Sequence, residues 1–138
     1  MKRTGRCLCG EITWETEAET LWSGHCHCDS CRRAAAAPFT SFFGVPRGSV
    51  TWSRNPASYV SSPGVKRGYC PHCGSQMFYQ NDIWPEETHL YAATMDDPTT
   101  FKAGAHYHWL EKLPWITVTD DLPKYADTSD NAEPLQAL

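Results

Sequence analysis

Seven cysteines in a chain of 138 residues fall into three tight groups: Cys7-Leu8-Cys9-Gly10, His25-Cys26-His27-Cys28-Asp29-Ser30-Cys31 and Cys70-Pro71-His72-Cys73-Gly74. Thiolates at such short intervals are ligands for a soft or borderline metal, zinc above all. In an extended segment, side chains two residues apart share a face, so Cys7 with Cys9, and Cys26 with Cys28, can aim at one ion. In the last group Pro71 fixes φ for a tight turn, and Gly74 can adopt positive φ and bring a backbone amide near sulfur. An odd number of cysteines would leave one over from full disulfide pairing, which favours metal ligation.

A closed tetrahedral site takes four ligands. Cys7, Cys9, Cys70 and Cys73 supply them and would tie an early segment to a turn about sixty residues later. Reduced cysteines packed in a core are the alternative for these four. Cys26, Cys28 and Cys31 then stand together without a fourth cysteine, as in catalytic zinc sites that leave one position for water or substrate. Two other readings stay open for this trio: closure by His25, His27 or His72, or redox-active thiols without metal. Zinc on three thiolates carries about one net negative charge, so cations are expected nearby. Arg32 and Arg33 follow Cys31 directly, at the start of a short helix whose N-terminus adds partial positive charge. Lys66 and Arg67 precede the last group as a second anion contact, and a solvated surface role is the alternative for all four.

The elements that must position these groups are mostly strands. Ile12 and Trp14 share one face of a β segment over residues 11–17, and similar patterns cover 20–25, 40–45, 49–52, 76–79, 88–93 and 115–118. Six tryptophans and ten prolines favour strands, turns and irregular loops over long helices. One helix of at most two turns is expected over residues 30–37, capped by Asp29 or Ser30, rich in alanine and stopped by Pro38. Residues 53–64 read as a loop or broken hairpin, and 126–138 as a tail expected to fray. The length suits one domain. A net charge of -4 gives no general basic field for nucleic acid or anionic lipid. The chain lacks an apolar run long enough to span a bilayer, and its first residues lack the apolar core of a signal peptide. The expected address is the cytoplasm.

The three cysteine groups in this order, with Arg32-Arg33 after Cys31 and Arg67-Gly68-Tyr69-Cys70-Pro71-His72-Cys73-Gly74-Ser75-Gln76-Met77 later, resemble the glutathione-dependent formaldehyde-activating enzyme family, also called the CENP-V/GFA family. The likeness extends to Pro38-Phe39, His106-Tyr107-His108-Trp109, Pro114-Trp115 and Asp121-Leu122-Pro123. It implies a mainly β, Mss4-like (β-tent) zinc-binding fold with one short helix, a zinc domain over residues 1–125 and a C-terminal tail over 126–138. It implies two zinc ions, one structural on the first and last groups and one catalytic on Cys26, Cys28 and Cys31. It also implies glutathione or another small thiol as cofactor and a carbon-sulfur lyase activity on a thiol adduct of an aldehyde or similar small electrophile. Where the family carries a glycine before the Pro-Phe pair, this chain has Ala36-Ala37.

Arg32, Arg33 and Arg67 are then the expected contacts for the thiol's anionic groups. Zinc on the trio would lower a thiol's pKa, and cleavage of the carbon-sulfur bond would return the thiolate to it. His25, His27, His72 and Asp29 are near in sequence to the metal groups, without one of them standing out as a general base. The expected partners are a small thiol and a small electrophile, with neither nucleic acid nor membrane. A non-enzymatic zinc module, binding a partner or sensing thiols and zinc, is the alternative.

Overall fold

Alternation of buried and exposed side chains shapes the first part of the chain, where Ile12, Trp14 and Thr16 are buried and Thr13 and Glu17 are not. The computed structural model describes residues 1–130 and 132–136. It contains β1 (Arg3–Arg6), β2 (Thr13–Thr16), β3 (Trp22–Cys26), α1 (Asp29–Ala35), β4 (Thr40–Pro46), β5 (Thr51–Trp52), β6 (Ala57–Ser62), β7 (Val65–Tyr69), β8 (Gln76–Asn81), β9 (Glu87–Tyr91) and β10 (His106–Tyr107). The fold is mainly β with one short helix, as expected. Among the described residues, no helix is long and apolar enough to cross a membrane.

The chain forms two compact units, one of residues 1–22 and 43–101, the other of residues 23–42 and the described residues from 102 on. In the first unit, β1, β2 and β5 make an antiparallel sheet in which Gly5 faces Trp14 and Trp14 faces Trp52. The later strands of this unit run in the order β4-β9-β8-β7-β6. Its core gathers Ile12, Trp14, Phe43, Val45, Met77 and Leu90, all essentially inaccessible to solvent, and Cys7 and Cys70 lie within that core. Burying such side chains contributes roughly 1.5–3 kcal/mol each.

In the second unit β10 runs parallel to β3, with His106 beside His25 and Tyr107 beside Cys26. The chain enters α1 directly from the end of β3. Cys28, in extended conformation, is the N-cap, and its thiol accepts the Cys31 N–H at 3.3 Å. The cap therefore lies one residue earlier than Asp29, and the helix spans Asp29–Ala35 instead of 30–37. It stops because Ala36 turns left-handed at φ 51, with Ala37 N–H returning to the Arg32 carbonyl, before Pro38 is reached.

Three further differences have local causes. Residues 115–118 make no strand: Ile116 N–H turns back to the Leu113 carbonyl, and Trp115 stays exposed. Within 53–64, β6 forms a hairpin with β7 across Gly64, broken by a register shift between Val60 and Ser62. β6 is exposed along nearly its whole length, so it carries no hydrophobic alternation to betray it. The described residues after 125 are tied down rather than frayed. His108 N–H donates to the Asp127 carbonyl at 2.8 Å, and Leu135 N–H to the Lys124 carbonyl at 2.7 Å.

Candidate metal centres

The first unit brings Cys7, Cys9, Cys70 and Cys73 together, with all four sulfurs within 4.8 Å of one another. Cys7 Sγ lies 3.6 Å from Cys9 Sγ, and Cys9 Sγ 3.8 Å from Cys70 Sγ. A tetrahedron with zinc-sulfur bonds of about 2.3 Å has edges of about 3.8 Å, so the sulfurs already have the spacing that zinc requires. The donor set fits zinc. Cys7 and Cys9 are not in an extended segment as the spacing suggested. They flank a turn in which Gly10, at φ 83, donates its N–H to the Cys7 carbonyl at 3.1 Å. Gly74, at φ 81, repeats this with the Cys70 carbonyl at 2.8 Å.

Backbone amides point at the sulfurs: Ile12 N–H to Cys7 Sγ at 3.3 Å and Cys73 N–H to Cys70 Sγ at 3.4 Å. Ser75 joins the two turns. Its Oγ accepts the Leu8 N–H at 2.9 Å and lies 3.3 Å from Cys73 Sγ. The Ser75 hydroxyl first, then the backbone amides of Ser75 and Cys9, hold the Cys73 thiol down to about 5. A thiol so placed is a thiolate at neutral pH, the form that binds metal. In the sequence Ser75 stands out only as part of a motif; its role depends on an N–H 67 residues earlier.

The second unit brings Cys26, Cys28 and Cys31 together, again with sulfurs within 4.8 Å. Cys31 is buried and the other two are partly exposed. Contact with the sulfurs of Cys28 and Cys31, followed by burial, pushes the Cys26 thiol strongly up. Three such groups cannot all ionise unless a cation lies among them, so the trio also fits a divalent metal. Among the described residues, neither a histidine nor a carboxylate joins this cluster. His25 Nδ1 pairs with Ser41 Oγ at 2.8 Å, and His27 Nε2 with His106 Nδ1 at 2.8 Å. His72 belongs to the first unit, 3.4 Å from a Glu11 oxygen.

Behind the trio stands a chain of contacts that sequence reasoning missed. His27 is fully buried, and its partner His106 reaches the two Asp120 oxygens with Nε2 at 2.9 and 3.2 Å. Burial, with His106 next, lowers His27 to about 4, so it is neutral at physiological pH. Asp120 stays below its ordinary value although burial opposes this, because His106 and the Leu122 N–H bond to its carboxylate.

The arginines divide. Arg32 is turned onto the site's own backbone, with Nε 3.3 Å from the His27 carbonyl and NH2 3.3 Å from Asp29. Arg33 is exposed and pairs with Asp29 at 2.9 Å. Arg67 lies in the other unit, buried on β7, bonded to Ser61 Oγ at 3.0 Å with its guanidinium 5.0 Å from the Tyr79 ring centre.

The sequence profile of the glutathione-dependent formaldehyde-activating enzyme family matches residues 2–111. The chain belongs to this family. It is 32% identical over 75 residues to an uncharacterized lyase of Schizosaccharomyces pombe, a match covering 54% of this chain and 55% of the yeast protein. This chain thus spans little more than half the length of that relative. A crystal structure of a Rhodobacter sphaeroides protein superposes with a TM-score of 0.57 at 23% identity, over 67% of this chain and 87% of that one, a likeness of fold. Both cysteine clusters lie inside the segment that the family profile covers.

Proposed function

We propose that this GFA-family protein is a zinc-dependent carbon-sulfur lyase acting on the adduct of a small thiol, glutathione or a relative of it, with an aldehyde or similar small electrophile. The observation that carries this reading is the contrast in donor count: four thiolates in one cluster, three in the other, with no further protein donor at the second among the described residues. Membership in the family and the likeness to a lyase support it.

Cys26, Cys28 and Cys31 would hold the catalytic zinc, and Cys7, Cys9, Cys70 and Cys73 the structural one. Bound by the trio, zinc favours the thiolate over the thiol and so stabilises sulfur both as nucleophile and as leaving group. In the cleavage direction a hydroxymethyl thioether becomes a thiol and formaldehyde. The carbon-sulfur electron pair goes to sulfur, the carbon-oxygen double bond forms, and the hydroxyl proton ends on the thiol. Arg33, exposed on α1 two residues after Cys31, would meet an anionic group of the thiol, and Arg32 holds the backbone between the ligands. Arg67 is engaged within the first unit by Ser61 and Tyr79, which favours a structural role for it over the thiol contact.

The test is metal analysis with X-ray absorption at the zinc edge, before and after adding glutathione, alongside an assay of aldehyde release from the thiol adduct. The expected result is two zinc ions per chain, an added sulfur ligand at one of them with glutathione, and turnover. Two zinc ions indifferent to any thiol, without turnover, would overturn the reading.

A further inference from the structure

The peptide of His27 separates two of the three sulfurs of the trio, so whatever fixes His27 fixes the spacing of Cys26 and Cys28. Its backbone is held on both sides: N–H donates to the Tyr107 carbonyl at 3.0 Å, and the carbonyl accepts from Arg32 Nε at 3.3 Å. In an extended chain the His27 ring points to the face opposite its neighbours' sulfurs. There it meets His106 and lies against Phe39 and Trp109, with ring centres 5.2 and 5.3 Å away.

Asp120 anchors the far end of this row. An ionised Asp120 can only accept, so His106 Nε2 carries a proton toward it. His106 Nδ1 meets His27 Nε2 at 2.8 Å, with one proton between them. His27 Nδ1 is buried without a hydrogen-bond partner. The His27 ring thus has one strong polar contact, with His106, which the carboxylate holds from its other side.

We infer that Asp120 and His106 are positioning residues for the catalytic metal site: they lock the ring of His27, and through its peptide they set the separation of Cys26 and Cys28. The two act on the metal without touching it. Carboxylate-imidazole contacts behind metal ligands change affinity by roughly 10–100-fold when removed. Here the same kind of support reaches a residue between two ligands instead of a ligand itself. The inference rests on the reading of the trio as a zinc site, but not on the reaction carried out there.

The experiment is competition for zinc between a chromophoric chelator and the full chain, in wild type, Asp120→Asn, Asp120→Glu and His106→Gln, with nitrogen-15 spectra of the histidine rings. Asp120→Asn keeps the volume at a side chain that is 40% exposed, so the fold should survive it. The expected result is about a tenfold loss of affinity at one zinc only in Asp120→Asn and His106→Gln, with partial recovery in Asp120→Glu. The ring nitrogen signals of His27 and His106 should both shift in Asp120→Asn. Two zinc ions in wild type, bound as tightly in every variant, would overturn the positioning role and leave the zinc sites standing. A wild-type chain holding a single zinc would overturn both. Equal weakening of both ions in Asp120→Asn would mark Asp120 as a general stabiliser and so refute its action on the trio.

Discussion

Around the sulfurs of Cys7, Cys9, Cys70 and Cys73 the first unit places positive-φ turns, amides aimed at sulfur and the bridging Ser75, all beside a core of Ile12, Trp14 and Met77. Around Cys26, Cys28 and Cys31 the second unit places the start of a seven-residue helix, two arginines and a row of imidazoles ending on a carboxylate. In the first, two of four ligands, Cys7 and Cys70, are core residues, so metal and core support one another. In the second, only Cys31 is buried, and the cluster sits where β3 ends and α1 begins. On the proposed reading, the difference separates the metal on which the fold would depend from the one that the chemistry would use.

The largest expected contrast comes from removing one ligand of each. Cys73→Ser should abolish the cooperative thermal transition followed by circular dichroism, because structural zinc contributes on the order of 10 kcal/mol, comparable to the whole stability of a domain. Cys28→Ser should leave the transition in place, halve the bound zinc and eliminate turnover. Serine is itself a favoured N-cap, so this variant removes the ligand while keeping the start of α1. Equal loss of folding in both would break the comparison.

Acid should separate the sites next. Within the four-cysteine cluster the thiols split, Cys73 held down to about 5 and Cys9, against a bond from the Glu11 amide, pushed up to about 12 by burial and the neighbouring sulfurs, while in the trio Cys26 is pushed up. Protons compete with metal for the sulfurs, and three thiolates hold zinc less firmly than four, so zinc should leave the trio first. Release followed with a zinc indicator would then show two steps. A single step, or the reverse order, would contradict the division.

Smaller changes sharpen it. Ser75→Ala removes the contacts with the Leu8 N–H and with Cys73 Sγ, and should lower stability by about 1 kcal/mol in chemical denaturation while shifting release from the four-cysteine site to higher pH. In the second unit, Ala36→Gly should raise stability by about 0.5–1 kcal/mol. Ala36 occupies the left-handed region at φ 51, where an L-residue is disfavoured by roughly 1–2 kcal/mol and glycine is not, a gain reduced by the greater freedom of glycine in the unfolded chain. Ala36 is therefore strained at the helix end. Arg33→Ala should change stability by less than about 0.5 kcal/mol, since its pair with Asp29 is exposed. Its effect should instead fall on KM for an anionic thiol.

The grouping of cysteines was legible because metal ligands cluster at short, fixed intervals, and Ile12 with Trp14 because alternation along a strand survives in sequence. β6 was not legible as a strand, since an exposed strand has little pattern. Residues 115–118 have strand character in Trp115, Ile116 and Val118, but the chain turns back at Leu113 and, among the described residues, gives them no strand to pair with. The right segment was read as a helix and its cap was not, because a cysteine thiol serves where Asp29 was expected.

By itself, then, the sequence determined two sets of thiolates, a mainly β chain and the family to which it belongs, all of which depend on residue type and local spacing. Tertiary structure alone decided that Ser75 secures two turns at once and that His27 is backed by His106 and Asp120, 79 and 93 residues away. Hydrogen bonds between side chains so distant leave no interval to read. They exist only once β10 lies beside β3 and brings His106 alongside His25.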